Sequence, residues 1–292
     1  MMTTAPRSDE LLRYNLVAFV DLLAQSTALR ALGDLPRTDD EMKSTVASLK
    51  ATVGRVRGFR NVFDQFFQAT TKSAGIIDRL PPPLARQAHE LRRSEIRVRG
   101  FSDSVIMDVS LAGDDENCTA MNGVYATLVA IAGTFPEMLG IGVLLRAGID
   151  VGVGIDVTEG ELYGPALERA YALESKDADW PRIAVGKGLV RYLDQVVRTL
   201  GTPIRGKYAA EMAASCRALI VNDVDGTFIL DYLGPGMEAI GMATRPVAIR
   251  DCRQFAANQR AEHAADDKLR RRWENVSAYI DSRVPPGKTA CA

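Results

Sequence analysis

Tyr14-Asn15-Leu16-Val17-Ala18-Phe19-Val20-Asp21 is a short apolar run that ends on a carboxylate. It is rich in strand formers and lacks polar alternation, so it predicts a buried central strand over 14–20. Outward from it, 38–71 carries Met42, Val46, Leu49, Val53 and Val56, then Phe63, Phe66 and Phe67, at helical spacing. Thr38-Asp39-Asp40-Glu41 supplies a capping-box start to that helix. Pro81-Pro82-Pro83 is a stiff break, since proline continues neither a helix nor a sheet ladder. Beyond it, 94–99 and 105–110 flank Gly100-Phe101-Ser102-Asp103, the pattern of a hairpin.

The second half alternates strands and helices without clean βαβ repetition. A helix is marked by Met121, Val124, Tyr125, Leu128 and Ile131, and 140–156 reads as a glycine-punctuated strand. Glycine weakens a strand and marks close approach by a ligand or another backbone. A helix opens at Gly164-Pro165, where proline's missing N–H would be unbonded anyway. A short strand over 180–185, a helix over 187–200 and a hairpin from 218–221 and 227–232 follow. The tail, 247–282, predicts one long polar helix. The pattern is α+β, or mixed α/β, around one central sheet, divided into a tail (1–13), a domain (14–245, with a helical insertion at 38–92) and a C-terminal helix and tail (246–292).

Composition excludes several classes. The 292 residues are 47% hydrophobic and 25% charged, enough apolar content for a full core. A formal net charge of −1 gives no electrostatic reason for nucleic acid or an acidic membrane as partner. Arg270-Arg271-Arg272 lies among acidic neighbours and reads as a solvated helix face. Cys118, Cys216, Cys252 and Cys291 are scattered, and His89 and His263 lie far apart, so no zinc site is expected. The polar start lacks a signal-peptide core, and the apolar stretch over 122–135 is too short to span a bilayer, which predicts a cytoplasmic protein.

Asp21 at a strand end can hold a hard cation, or it can simply cap the next helix. Asp103 in the hairpin link can share that ion, or it can be an ordinary turn residue. Their order with Leu145-Arg146-Ala147-Gly148-Ile149-Asp150-Val151-Gly152 and with the helix from Gly164 resembles the class III nucleotidyl cyclase catalytic domain. Phe101-Ser102-Asp103-Ser104, Gly164-Pro165-Ala166-Leu167, Ala170-Tyr171-Ala172-Leu173-Glu174 and Pro181-Arg182-Ile183 look closest to the bacterial pyrimidine cyclases of the Pycsar anti-phage systems. The resemblance spans 14–232.

That resemblance implies a ferredoxin-like central sheet flanked by helices. It also implies that Asp21 and Asp103 hold two Mn²⁺ or Mg²⁺ ions, while the Leu22, Leu23, Ala24 and Gln25 amides cradle phosphates. Arg99 and Glu161 fall where the family reads the base. The family's transition-state Asn and Arg positions carry Glu168 and Ala172 here. Neither stabilises charge on phosphate oxygens, which leaves Arg169 and Arg182 as substitute cations. The implied activity is conversion of UTP, or CTP, to a 3′,5′-cyclic monophosphate and pyrophosphate. The implied assembly is a homodimer with sites at the interface, its product read by a separate cyclic-nucleotide-binding effector. A degenerate, nucleotide-binding module without turnover is the other reading.

Overall fold

The computed structural model describes residues 12–23, 32, 35–72, 96–111, 121–158, 161–198 and 205–285, with 205–208 by backbone alone. The predicted first strand is β1 (Arg13–Leu22), and Leu16, Ala18, Val20 and Leu22 are fully buried on one face. Its neighbours are β3 (Ser104–Ser110) and β4 (Leu145–Thr158), both antiparallel to it. β2 (Ile96–Phe101) pairs with β3 as the expected hairpin. The order β2-β3-β1-β4, with β1 antiparallel to both neighbours, is the split βαβ of a ferredoxin-like sheet.

The sheet continues from β4 into β6 (Ile183–Val185), β8 (Phe228–Leu230) and β7 (Ile220–Asn222). A short β5 (Glu161–Tyr163) folds back on the far end of β4, completing an eight-stranded sheet. The architecture is mixed α/β, as expected. The strand predicted over 140–156 begins five residues later, because 141–144 turn out of the preceding helix.

One face of the sheet is covered by α1 (Asp39–Lys72) and α2 (Met121–Gly140), which pack on each other. The Thr38–Glu41 capping box forms in both directions, the Glu41 amide donating to Thr38 Oγ1 and the Thr38 amide to Glu41 Oε2. Phe59, Phe63 and Phe67 of α1 are buried in this core, and their rings stack in sequence. α2 is apolar on all sides, which marks a helix enclosed by protein. It has 20 residues and is long and apolar enough to cross a membrane, so shortness does not exclude a span. Instead, 83% of its apolar window is buried inside the fold.

The other face carries α3 (Pro165–Ala172), whose Ala166 and Ala170 pack with Val17 and Leu162. After α4 (Lys187–Arg198), α5 (Arg205–Ala218) packs on α4 and α2. A short α6 (Pro235–Ala239) then leads into the tail. The tail is two helices rather than one long one, α7 (Pro246–Glu262) and α8 (Asp267–Arg283), folded as a hairpin. Asp266 causes the break: its carboxylate accepts from the Lys268 and Leu269 amides and starts a new helix. Trp273, Val276, Tyr279 and Ile280 bury the inner face of α8, and its Tyr279 donates to Asp231.

Candidate functional site

Asp21 is the penultimate residue of β1, and its cross-strand partners are Ser104 on one side and Arg146 on the other. Side chains alternate along a strand, so Val17, Phe19 and Asp21 share the α3 face. Ser104 Oγ donates to Asp21 Oδ1 at 3.1 Å, and Arg146 Nη2 lies 3.7 Å from Asp21 Oδ2. Asp103 sits in the two-residue turn between β2 and β3, one residue before Ser104, in the hairpin link as expected. The turn is tight, with Ser102 at φ 56°, and its carbonyl at Asp103 accepts the Leu22 amide at 3.1 Å. That bond ties the turn to the end of β1 and holds the two carboxylates close enough to repel. Burial pushes the Asp21 carboxyl above its usual range, and the charge of Asp103 adds to that, against the Ser104 and Arg146 contributions.

Arg146 is not among the site residues expected from the sequence, yet it is the cation directly across from Asp21. Its Nη2 approaches Glu174 Oε1 at 2.6 Å, but the approach lacks hydrogen-bond alignment. Arg146 Nε and Glu174 Oε1 are therefore buried without a hydrogen-bond partner, among the described residues. Burial also raises the Glu174 carboxyl, opposed by Arg146. Glu174 reaches this place because α3 relaxes into a π-helical turn over Leu173–Asp177, a geometry frequent at functional sites. Gly148 of β4 admits the turn: a Cβ there would overlap Ala170 O, Glu174 N and Leu173 Cβ.

The other expected site residues divide. The Leu22 and Leu23 amides are spent on Asp103 O and Leu144 O, so the backbone continues the sheet there and offers no phosphate cradle. Ala24 and Gln25 lie outside the described residues. Arg99 is half-buried and held within the chain: it pairs with Asp108, which is fully buried, and with Asp156 at 2.8 Å. Arg97 joins the same two carboxylates. Glu161 is exposed on β5, opposite Thr158. Arg169 donates to the Val151 carbonyl at 3.2 Å and flanks Asp150, whose carboxylate caps α4 at the Leu189 amide.

Arg182 is a correction. Its guanidinium is buried and bound to Asp223 (2.6 Å), Asp225 (2.7 Å) and the Asp177 carbonyl, over the Trp180 ring. It fastens the β7–β8 turn to the end of the π-helical turn, with four of its five N–H groups given to Asp177, Asp223 and Asp225. Glu168 and Ala172 on α3 bring no cation either.

Among the described residues no group of three or more metal-ligating side chains occurs. Two carboxylates still fit a hard divalent ion of the Mg²⁺ or Mn²⁺ kind, which takes one or two carboxylates and completes its shell with water and substrate phosphates. The donor set fits: the Leu22–Asp103 bond holds the turn beside the end of β1, and a cation between the two carboxylates would relieve their repulsion.

No protein-family model matches the chain, and no curated protein matches it. Among solved structures, two similar ones are bacterial light-regulated adenylyl cyclases. One has a TM-score of 0.35 at 15% identity over 63% of this chain and 81% of that one. The other has a TM-score of 0.37 at 15% identity over 62% of this chain and 45% of that one. At that distance the likeness assigns no activity to the chain.

Proposed function

We propose that the chain is a nucleotide cyclase that converts a pyrimidine nucleoside triphosphate, UTP before CTP, to its 3′,5′-cyclic monophosphate. The observation that carries the reading is the pairing of Asp21 and Asp103 at one end of β1, with Ser104 bonded to one carboxylate and Arg146 beside it. In the proposed reaction the ribose 3′-hydroxyl gives up its proton to water, its oxygen forms a bond to the α-phosphorus, the bond to the β-phosphate breaks, and pyrophosphate leaves. Bound at the two carboxylates, Mn²⁺ or Mg²⁺ would polarise the 3′-hydroxyl and clamp the triphosphate.

The chain's own groups supply orientation and charge. Ser104 bonds Oδ1 of Asp21 and leaves Oδ2 beside Arg146. Arg146, with an unfilled Nε donor, offers positive charge to phosphate oxygens, and Glu174 holds it toward the strand end. The pyrimidine choice follows the sequence resemblance, as do the homodimer, the anti-phage setting, the cytoplasmic place and a separate effector for the product.

A second reading, a nucleotide-binding module without turnover, is favoured by one observation. Glu168 and Ala172 provide no transition-state cation, and Arg182 is locked elsewhere. The test separates them: the purified chain is incubated with each of the four nucleoside triphosphates and Mn²⁺, and pyrophosphate and cyclic products are measured. One pyrimidine product is expected, lost in Asp21→Ala and Asp103→Ala. Binding without product leaves the module reading; a purine product overturns the pyrimidine assignment.

A further inference from the structure

A cleft of about 300 Å³ opens beside Asp103, between α1 and the β2–β3 turn. Its helical wall is Leu49, Thr52, Val53, Val56, Arg57 and Arg60, and its floor is Ser102 and Asp103. The helical residues recur at i, i+3, i+4 and i+7, so they form one face of α1. Arg60 is half-buried, its Nε is fully enclosed and without a partner among the described residues, and its Nη2 rests over Gly100, where a Cβ would overlap it. Among the described residues neither Arg57 nor Arg60 is in an ion pair, whereas Arg97, Arg99, Arg182 and Arg283 each are.

We propose that Arg57 and Arg60 bind the terminal phosphates of a metal–nucleotide that reaches round the end of the sheet, from an ion at Asp21 on the α3 face and Asp103 in the turn to the cleft on the α1 face. The inference rests on the nucleotide reading of that pair and extends the site onto α1. Two guanidiniums and one carboxylate in a single cleft suit neither a bare anion, which Asp103 repels, nor a bare cation, which the arginines repel. They suit a ligand that alternates charge, with a divalent ion against Asp103 and phosphate oxygens against the arginines. Planar guanidiniums give each phosphate paired donors. Gly100 is what lets Arg60 reach the turn.

The probe is Mn²⁺-tripolyphosphate, titrated calorimetrically into the whole chain and into Arg60→Ala, Arg57→Ala and Arg60→Lys. Binding is expected to weaken about tenfold or more in each alanine variant and to recover in part in Arg60→Lys, with a steep salt dependence in the wild type. KM for the nucleotide should rise with kcat less affected. Thermal unfolding of each variant checks the fold, and Arg57→Ala, an exposed position, serves if Arg60→Ala does not fold. Unchanged tripolyphosphate binding in both alanine variants overturns the proposal and leaves the cyclase reading standing. Loss of binding in a chain that turns over no nucleotide supports this site and sinks the cyclase instead. A wild type that cyclises nucleotide but binds no tripolyphosphate overturns the proposal as well.

Discussion

Two arginine clusters lie at opposite ends of the π-helical turn, and they differ in how far their hydrogen bonds are filled. Around Arg182, nitrogen donors on the guanidinium meet Asp223, Asp225 and the Asp177 carbonyl, and Trp180 lies against its face. Around Arg146, the partners are a misaligned Glu174 and a distant Asp21, and among the described residues Nε has none. A cation that the chain satisfies by itself is structure. One left with open donors beside repelling carboxylates costs stability, and that cost is recovered only when something else binds.

The contrast breaks most visibly by removing one charge from each cluster. Arg182→Ala should cost about 3 kcal/mol, because it leaves Asp223 half-buried without its cation. Urea unfolding reads that loss, and a change under about 1 kcal/mol would make Arg182 an ordinary surface arginine. Asp21→Ala should do the reverse, lowering turnover at least about 100-fold while the chain stays as stable as before. Gly148→Ala comes next. Its methyl forces the π-helical turn off β4, so a loss of about 2 kcal/mol is expected together with displacement of Glu174 from Arg146.

Smaller effects follow from charge alone. Asp21→Asn removes a carboxylate that burial and Asp103 both disfavour, so without divalent ions its melting temperature should exceed the wild type's by about 2 °C. The folded chain binds that proton more tightly than the unfolded one. Stability from Asp21 is therefore present below the ordinary carboxylate value of 3.8 and lost as pH rises through the raised one, so the gain in Asp21→Asn should vanish in acid. The closed cluster has the opposite sign. Partial burial raises Asp225, but hydrogen bonds from Arg182 and Thr227 outweigh it and bring it down to about 2. Its contribution is present above 3.8 and lost as pH falls toward 2. Asp225 is half-exposed, so a shallow acid limb, flattened in Asp225→Asn, is all that calorimetry should detect.

Much of the fold was legible because its central elements are local patterns. The unbroken apolar run to Asp21, the Thr38–Glu41 box and the turn at Ser102-Asp103 each declare themselves within a few residues. The helix Arg205–Ala218 does not: its buried stripe of Ala209, Met212, Ala213 and Cys216 is mostly small residues, which read as neutral. The tail read as one helix because both of its halves are polar, and only the Asp266 bonds show where the second begins.

The site was half legible. Asp21 and Asp103 stood out as carboxylates at a strand end and a turn. The partners of Arg99 and Arg182 did not, since Asp108, Asp156, Asp223 and Asp225 meet them only through the sheet. Arg146 could have been found: register places it directly across from Asp21, and an arginine opening a buried strand needs an anion. Arg57 and Arg60 carried no signal, because helical spacing places them on a face without saying which strand turn that face meets.

Binding of Mn²⁺ followed by electron paramagnetic resonance, with a non-hydrolysable nucleoside triphosphate present, tests the Asp21–Asp103 pair most directly. The wild type should deplete the free-ion signal with nucleotide far more than without it, while Asp21→Asn and Asp103→Asn should leave it close to that of nucleotide alone. Equal depletion by the wild type and both variants would contradict a metal site at the end of β1.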